Sequence, residues 1–323
     1  MFRGLAIIAM VLANYLADIA VVPAALKHAP DVGLTVIDLI APFFIFAIGV
    51  TYGPSLRRRL TAGPWGVAGA AGHFARRCLA FIGIGAVISA GEAALGMGDS
   101  LVQWGVLQAI GAAGLIALPA MALPPRWRLA AGIALLGVYQ VLLDAAWLPM
   151  VLGSSHGGLH GVVAWAAMLV VSTAIADDSR AVDGSGGEIS ASVLRLALWG
   201  AAALSVGIAL AVLLPELAPV SKNRVSASYV LVSVGSSALL YSVFMFLSDR
   251  LGVRVPILES WGKNPLFLYV LHYILLGLVV LPGVEWWHSG AQPWLVACQA
   301  AALVGILSLI ARGMEKKGVI VSL

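Results

Sequence analysis

The amino-acid sequence predicts an all-α membrane protein, a polytopic bundle of about ten transmembrane helices. Of the 323 residues, 61% are hydrophobic and only 11% are charged. The mean hydropathy is +0.99, which is not the value of a water-soluble globular protein. The apolar residues fall into ten long stretches, each near the roughly 20 residues that cross a bilayer core.

The stretches predict the helices in chain order. They cover residues 4–25, 35–53, 75–91, 102–122, 129–148, 161–175, 194–214, 228–247, 264–281 and 294–311. No soluble domain interrupts them, so residues 1–323 are interpreted as a single transmembrane domain. The longest polar segment follows the sixth stretch and is rich in glycine and serine, which predicts a flexible cytoplasmic linker at about residues 176–193.

The basic residues predict the orientation, because lysine and arginine accumulate in cytoplasmic loops. With both termini cytoplasmic, sixteen of the nineteen basic residues lie on the inner side. The exceptions are Lys27, Lys222 and Arg224, in two outer loops. The net charge of +4 therefore reflects topology and does not indicate a nucleic-acid partner. Membrane lipid is an expected partner, and a homodimer is left open.

Two features admit other interpretations. The first stretch imitates a secretory signal peptide, with a basic start, an apolar run and small residues. It is longer than the apolar part of such a peptide, and cleavage near Ala25 would discard Asn14 and Asp18, so we favour a retained helix. Cys78 and Cys298 lack the spacing of a metal site and are interpreted as packing residues, so no metal is expected.

The segment LKHAPDVGLTVIDLIAPFFIFAIG carries an acid inside an apolar helix. Asp38 lies about one turn from the outer end of the second stretch, a depth at which acids mark functional sites. Pro42 has no N–H to bond the Asp38 carbonyl, which predicts a bend. His28 in the preceding outer loop is within reach of Asp38, and a carboxylate beside a histidine makes a general base or nucleophile. The alternative is an interfacial histidine beside a helix-start acid.

Other polar residues lie inside the apolar stretches. Asn14 lies on the outward half of the first helix, and Asp18 follows one turn later on the predicted same face. Gln108, Asn264 and His272 are candidate linings of a polar channel. For all of these except Asp18, hydrogen bonding between neighbouring helices is an equally simple explanation.

Five segments carry a resemblance to a known family. They are FRGLAIIAMVLANY, LKHAPDVGLTVIDLIAPFFIFAIG, GVLQAIG, PVSKNRVSASYV and GKNPLFLYVLHY, in this order. The chain resembles the transmembrane acyltransferases related to heparan-α-glucosaminide N-acetyltransferase. That resemblance implies transfer of an acetyl group from cytoplasmic acetyl-CoA to the amino group of a sugar on the other side of the membrane. It assigns catalysis to His28 and matches Asn14 and Asp38 with motif residues of the family.

The chain also departs from the family pattern. No acid precedes Arg3-Gly4, so the start of the sequence is expected to be short. The tryptophan common after the KHA motif is replaced by Pro30-Asp31-Val32, and the loop GSSHGGLH lacks the family's acid. Because these loops are expected to touch the acceptor, the acceptor is the least transferable part of the resemblance.

The resemblance implies a role for each candidate residue. His28 would remove a proton from the attacking group or accept the acetyl group itself, Asp38 would orient it, and Asn14 would donate to the oxyanion. Arginines of the inner face suit the phosphates of acetyl-CoA, with the polar linings around its arm. The predicted cofactor-binding residues are Arg57, Arg58, Arg76, Arg77, Gln108, Asn264 and His272. The predicted acceptor-binding residues are Lys222, Asn223, Arg224 and His156.

Alternatives remain at this point. Residues 222–224 would recognise an acidic glycan, pin the loop over the site, or only cap the eighth helix. The enzyme would be an N-acetyltransferase acting on a glucosamine-type sugar or a surface-glycan O-acetyltransferase. A small-solute transporter is the alternative of another class, since buried Asn, Asp and His also line solute pathways. The composition favours a bacterial cytoplasmic membrane as the location.

Overall fold

The computed structural model describes residues 1–61, 66–94, 103–180 and 189–321. All regular structure in these residues is helical, which confirms the all-α prediction. The α-helices are α1 (Phe2–Leu16), α2 (Ile40–Thr61), α3 (Gly66–Ala94), α4 (Val106–Ala117), α5 (Pro125–Leu142), α6 (Leu148–Leu152), α7 (Gly158–Arg180), α8 (Ile189–Leu213), α9 (Ala227–Met245), α10 (Pro256–Lys263), α11 (Pro265–Val280) and α12 (Pro293–Lys316).

Several helices are long and apolar enough to cross a membrane. Within the four described ranges there are seven, namely Ile37–Leu60, Gly66–Ala94, Pro125–Leu152, Ser155–Arg180, Ile189–Leu213, Ala227–Arg250 and Pro293–Lys316. Helices α10 and α11 meet at 91° and make an eighth if they are one broken span. Helix α1 and the segment Val106–Ala122 are shorter. The structure thus supports a polytopic membrane protein, while the number ten and the orientation stay predictions.

The chain divides into two compact units. Unit 1 contains Met1–Ala29, Leu34–Phe44 and Gly252–Ser322, and unit 2 contains Pro30–Gly33 and Ile45–Leu251. Unit 1 combines segments from both ends of the chain, so the units do not correspond to its two halves. The prediction that residues 1–323 form a single domain stays a prediction.

In unit 1, α1 packs against α10, α11 and α12. The contact with α10 depends on Gly4, because a Cβ atom there would lie 1.9 Å from the carbonyl oxygen of Leu258. Beside it, Arg3 Nε donates a 2.7 Å hydrogen bond to the carbonyl oxygen of Gly262 near the end of α10. A cation satisfies an open carbonyl at a helix C-terminus. The Arg-Gly pair at the start of the sequence therefore holds α1 against α10.

In unit 2, α7 is the central helix. It packs against α4, α5, α8 and α9, and nearly all its side chains are buried. Many of them are small, including Gly161, Ala164, Ala167 and Ser172, which lets the neighbouring helices approach closely. Helix α8, in contrast, exposes most of its apolar side chains, as expected for a helix that faces lipid.

Three local predictions in the N-terminal region differ from the structure. Helix α1 ends at Leu16 and not near residue 25, and the backbone N–H of Ala20 donates to the Ser289 carbonyl oxygen instead of continuing the helix. Asp18 is therefore exposed on a turn and does not share a helix face with Asn14. Pro42 lies in the first turn of α2, where a missing N–H is tolerated, and not in a helix interior that would bend.

The predicted flexible linker at residues 176–193 overlaps two helices at its ends. Residues 176–180 complete α7 and residues 189–193 begin α8, while residues 181–188 lie outside the described part of the chain. Ion pairs explain the extra helical turn of α7. Asp177 contacts Arg128 at 3.0 Å, and Asp178 contacts Arg195 at 3.0 Å.

Candidate functional site

The predicted pair of His28 and Asp38 is present in unit 1. The chain leaves α1, turns back through residues 24–36 and enters the short 3₁₀ turn Ile37–Leu39, which precedes α2. This turn carries Asp38, and His28 Nδ1 lies 2.7 Å from Asp38 Oδ1. The Asp38 side chain is fully buried, whereas the His28 side chain is 46% exposed. The carboxylate is thus fixed inside the unit and the imidazole reaches its surface.

The other oxygen of Asp38 holds the returning loop. Asp38 Oδ2 accepts hydrogen bonds from the backbone N–H of Ala29 at 3.2 Å and of Thr35 at 2.9 Å, and from Thr35 Oγ1 at 3.0 Å. The Thr35 hydroxyl is also 2.8 Å from the Lys27 carbonyl oxygen, so the residues flanking His28 are tied to the same carboxylate. Several donors on one buried carboxylate keep it ionised and immobile.

The pairing fixes the tautomer of His28. A carboxylate only accepts, so the proton of the neutral ring is on Nδ1, and Nε2 carries the lone pair. A histidine held this way by a buried acid is the arrangement of a general base or a nucleophile. The interpretation of Asp38 as a simple helix-start acid does not explain why its oxygen contacts a half-exposed histidine.

Asn14 and His272 form a second polar cluster in unit 1. Asn14 Nδ2 lies 3.0 Å from His272 Nε2 and 3.3 Å from the hydroxyl of Tyr273. His272 is fully buried, and its Nδ1 contacts the carbonyl oxygen of Tyr269. Both ring nitrogens of His272 have protein partners, and its predicted contact with the cofactor stays a prediction.

Two other predicted cofactor residues have local structural roles. The side-chain amide of Asn264 lies at the bend between α10 and α11 and donates to the Val319 carbonyl oxygen at 2.9 Å, while its oxygen accepts from Val321 N–H at 2.7 Å. The Gln108 amide oxygen accepts from the backbone N–H of Gly105 at 3.1 Å, and its nitrogen contacts Ser89 Oγ at 3.3 Å. These bonds anchor the C-terminal segment and the start of α4, and the predicted contacts of both side chains with the cofactor stay predictions.

The predicted acceptor-binding residues lie in unit 2, on the turn before α9. Arg224 donates from Nε and Nη2 to Asp31 Oδ2, at 3.1 and 2.5 Å, and this lowers the pKa of Asp31 and raises that of Arg224. Asn223 Nδ2 donates to the Pro30 carbonyl oxygen. The cap of α9 is Ser226, so capping by residues 222–224 is not their role. These contacts favour the interpretation that Asn223 and Arg224 pin the loop of residues 30–33.

The other two candidates of this group differ from each other. Lys222 is buried, with only 8% of its surface exposed. His156 has a left-handed backbone, with φ of 56° and ψ of 23°, and its carbonyl oxygen accepts from Trp165 Nε1 at 2.9 Å. A left-handed non-glycine residue is held there by its surroundings. Whether either side chain binds the acceptor stays a prediction.

One member of the predicted arginine set, Arg57, lines a cavity among the described residues. A cavity of about 450 Å³ in unit 2 is bounded by the ends of α2, α5 and α7. Its charged lining residues are Arg57, Arg128, Arg180 and Asp177. Arg58 and Arg76 are not among the residues that line it, and the Arg77 guanidinium lies 5.8 Å from the ring centroid of Phe81. Arg57 is therefore the member of the predicted set that the cavity supports.

Sequence reasoning missed several residues of these clusters. Thr35 bonds to Asp38 in the first cluster, and Tyr273 bonds to Asn14 in the second. Tyr273 is adjacent to the candidate His272 in the sequence, and this position could have indicated it as a member of the cluster. The cavity residues Arg128 and Asp177 are 49 positions apart, and no spacing rule connects them. The sequence predicts only a topological role for Arg128, as one of the inner basic residues, and places Asp177 in a flexible linker.

Comparison with known proteins identifies the family. The catalytic-domain model of heparan-alpha-glucosaminide N-acetyltransferase matches residues 1–174 of the 323-residue chain. That range contains His28, Asp38 and Asn14. The comparison with curated proteins gave no match. Because the family model covers more than half of this all-helical membrane chain, the protein belongs to the heparan-alpha-glucosaminide N-acetyltransferase family.

Proposed function

We propose that this protein transfers an acetyl group from cytoplasmic acetyl-CoA to the amino group of a glucosamine-type sugar on the extracytoplasmic side of the membrane. The observation that carries the proposal is the 2.7 Å contact between the half-exposed His28 and the fully buried Asp38. The family provides the reaction class, and this pair provides the base that such a reaction needs.

The proposed reaction assigns one step to each atom of the pair. The amine nitrogen of the sugar attacks the thioester carbonyl carbon, a C–N bond forms and the C–S bond breaks. His28 Nε2 takes the proton that the nitrogen loses, and the leaving thiolate of CoA is protonated to the free thiol. Asp38 stays ionised and stabilises the imidazolium that forms. In the alternative route, His28 Nε2 itself attacks the thioester, and the amine then attacks the acetyl-imidazole.

We propose the arginine-lined cavity of unit 2 as the site for the phosphate-bearing end of acetyl-CoA. Its lining carries three positive charges and one negative charge, a net charge that suits an anion. The side chains of Arg128 and Asp177 are each only 6% exposed, so the ion pair presents its guanidinium in a fixed position. Arginine is the cation best suited to bidentate phosphate contacts. The expected consequence is that Arg57→Gln weakens acetyl-CoA binding without changing the acceptor KM.

We further propose that the bundle has ten spans with both termini cytoplasmic, in a bacterial cytoplasmic membrane. This arrangement keeps sixteen of nineteen basic residues inside and places His28 outside. A single cysteine introduced at Ala29, in a variant with Cys78 and Cys298 replaced by serine, should react with an impermeant thiol reagent from the outer side. Reaction only from the cytoplasmic side would contradict both the orientation and the direction of transfer.

The function is tested in proteoliposomes that contain labelled acetyl-CoA inside and glucosamine outside. We expect label in an amide product outside, with no movement of free sugar across the membrane, and no product with His28→Ala. The exposed Asp18→Asn variant is the matched control, because that carboxylate lies in the same unit without a side-chain bond among the described residues. An ester product would favour O-acetylation, and sugar transport without acetylation would favour a transporter. Substantial turnover by His28→Ala would remove His28 from the mechanism.

A further inference from the structure

A second, smaller cavity of unit 2 lies between α5, α7 and α8. Its volume is about 140 Å³, the space that about five water molecules occupy in the liquid. Leu129, Ala174 and Ile175 contribute its apolar lining, and Arg126 and Asp178 contribute its charges. Arg126 lies in the first turn of α5 and Asp178 in the last turn of α7. The cavity thus combines an apolar lining with charged side chains near the helix ends.

The negative charge of this cavity is already neutralised. Asp178 Oδ2 accepts hydrogen bonds from Arg195 Nε at 3.0 Å and from Trp199 Nε1 at 2.8 Å, and Asp178 Oδ1 accepts from Arg195 Nη2 at 3.3 Å. The side chain of Arg126, in contrast, is exposed and forms no hydrogen bond or ion pair with any residue that the structure describes. The cavity therefore offers one positive charge without a counter-charge, which suits an anion.

The surroundings of the cavity suit a lipid better than a soluble anion. Leu194 and Leu198 of α8 are exposed, and Trp127, which follows Arg126 in the sequence, is 59% exposed. Tryptophan is enriched where the headgroups of a bilayer meet its hydrocarbon core. A phospholipid carries a phosphate and hydrocarbon chains in one molecule, so it can use both the free arginine and the apolar surface beside it.

We propose that this cavity binds an anionic phospholipid of the phosphatidylglycerol type, with the lipid phosphate at Arg126 and the start of the hydrocarbon chains against the apolar lining. Basic pockets between transmembrane helices bind anionic headgroups in this way. The two arginines, Arg126 and Arg195, and the single acid, Asp178, leave a net charge of +1, which a lipid of charge −1 balances. A zwitterionic lipid would also bring an ammonium group, and both oxygens of Asp178 are already occupied. The site does not depend on the proposed acetyl transfer.

Lipid binding is measured by thermal unfolding of the full-length protein in detergent, with added dioleoyl phosphatidylglycerol or dioleoyl phosphatidylcholine. A ligand of the folded state raises the unfolding temperature in proportion to its occupancy and affinity. We expect the larger rise with phosphatidylglycerol. Arg126→Gln should lower the affinity for this lipid by at least about tenfold, because a charge-assisted contact is lost.

Arg250→Gln is the matched control. Arg250 is also an exposed arginine of unit 2, but it is not among the residues that line the cavity. We expect this variant to keep the wild-type affinity for phosphatidylglycerol. Equal stabilisation of the wild type by the two lipids, or the same loss of affinity in both variants, would overturn the proposal.

Two further measurements separate a built site from general surface charge. Leu129→Trp keeps every charge and narrows the cavity, so it should also weaken phosphatidylglycerol binding. Inorganic phosphate, added in place of lipid, should not stabilise the protein. Stabilisation by phosphate equal to that by phosphatidylglycerol, or wild-type lipid affinity in a folded Leu129→Trp variant, would overturn the lipid site. If Leu129→Trp is not recovered as folded protein, the comparison of Arg126→Gln with Arg250→Gln decides the outcome.

Discussion

Replacing Asp38 by asparagine should inactivate the enzyme while leaving it folded. The asparagine amide has one oxygen, and the structure decides where that oxygen goes. The N–H groups of Ala29 and Thr35 and the Thr35 hydroxyl meet at Asp38 Oδ2, and His28 Nδ1 meets Oδ1. Turning an NH₂ group toward this position would leave the N–H groups of Ala29 and Thr35 without this acceptor, at about 1–3 kcal/mol per buried group, whereas the Thr35 hydroxyl still has the Lys27 carbonyl oxygen. The asparagine oxygen is therefore expected at the Oδ2 position.

This orientation turns the NH₂ group toward His28. Since an NH₂ group only donates, His28 Nδ1 must then accept, and the ring proton moves to Nε2. A protonated Nε2 takes no proton from the amine. The same acid-to-amide change in a Ser-His-Asp triad lowers kcat by about 10⁴, because it imposes the wrong tautomer. We expect Asp38→Asn to lower kcat by about 10³ to 10⁴, with an unchanged KM for acetyl-CoA.

The assay is release of free CoA thiol by detergent-purified protein, with acetyl-CoA and glucosamine as substrates. Thermal unfolding of the same samples checks the fold, and a shift equivalent to no more than about 2 kcal/mol is expected, since the hydrogen bonds at the Oδ2 position persist. Asp38→Ala is the contrasting variant, because it removes the acceptor of these hydrogen bonds and should lose both activity and stability. An Asp38→Asn enzyme with less than about a tenfold loss would refute the assigned tautomer and the role of His28 as base.

Three further predictions concern unit 2. Asp177→Asn leaves the guanidinium of Arg128 buried without its charge partner, so the free energy of unfolding should fall by about 3 kcal/mol in a denaturant titration, and an unchanged midpoint would contradict the burial of this pair. Gly53→Ala places a Cβ atom 2.0 Å from Asp177 Oδ1, so the carboxylate must move. This displacement should weaken acetyl-CoA binding in equilibrium titrations. An unchanged affinity would exclude this cavity as the nucleotide site. Asp31→Asn should lower the free energy of unfolding by about 1 kcal/mol near pH 7. Because pairing with Arg224 lowers the folded-state pKa of Asp31 below 3.8, that cost should be constant above this pH and vanish as the pH falls through the folded value, and a cost that persists in acid would contradict the ion pair.

The apolar stretches predicted where the helices lie because a bilayer imposes a length and a composition on each span. The same rule does not predict how a helix ends. Helix α1 stops at Leu16, where the Ala20 N–H finds the distant Ser289 carbonyl oxygen, a partner that no local pattern identifies. The end of α7 was missed for a related reason. Asp177 is a polar residue before a glycine-rich segment, and only its contact with Arg128 shows that it belongs to the helix.

The candidate site is predictable from the sequence where its members lie close together in the chain, and not where they lie far apart. His28 and Asp38 are ten residues apart on one hairpin, so their pairing followed from local geometry and from the depth of the acid. Asn14 and His272 are 258 residues apart, and each alone has the appearance of an ordinary polar residue in a membrane helix. The role of such a residue follows from its hydrogen-bond partners in the fold and not from its residue type.

The hydrogen-bond networks of unit 1 indicate why polar groups are used in pairs. The Asp38 carboxylate is held by His28, Ala29 and Thr35, and the Asn14 amide is held by His272 and Tyr273. Asp38 thereby sets the tautomer of His28, whose Nε2 carries the lone pair. A lone pair in a fixed position suits the proposed reaction, in which an amine must lose a proton. A solute pathway would need its polar groups to exchange partners as the solute moves, whereas fixed acceptors of this kind suit a reaction at one point.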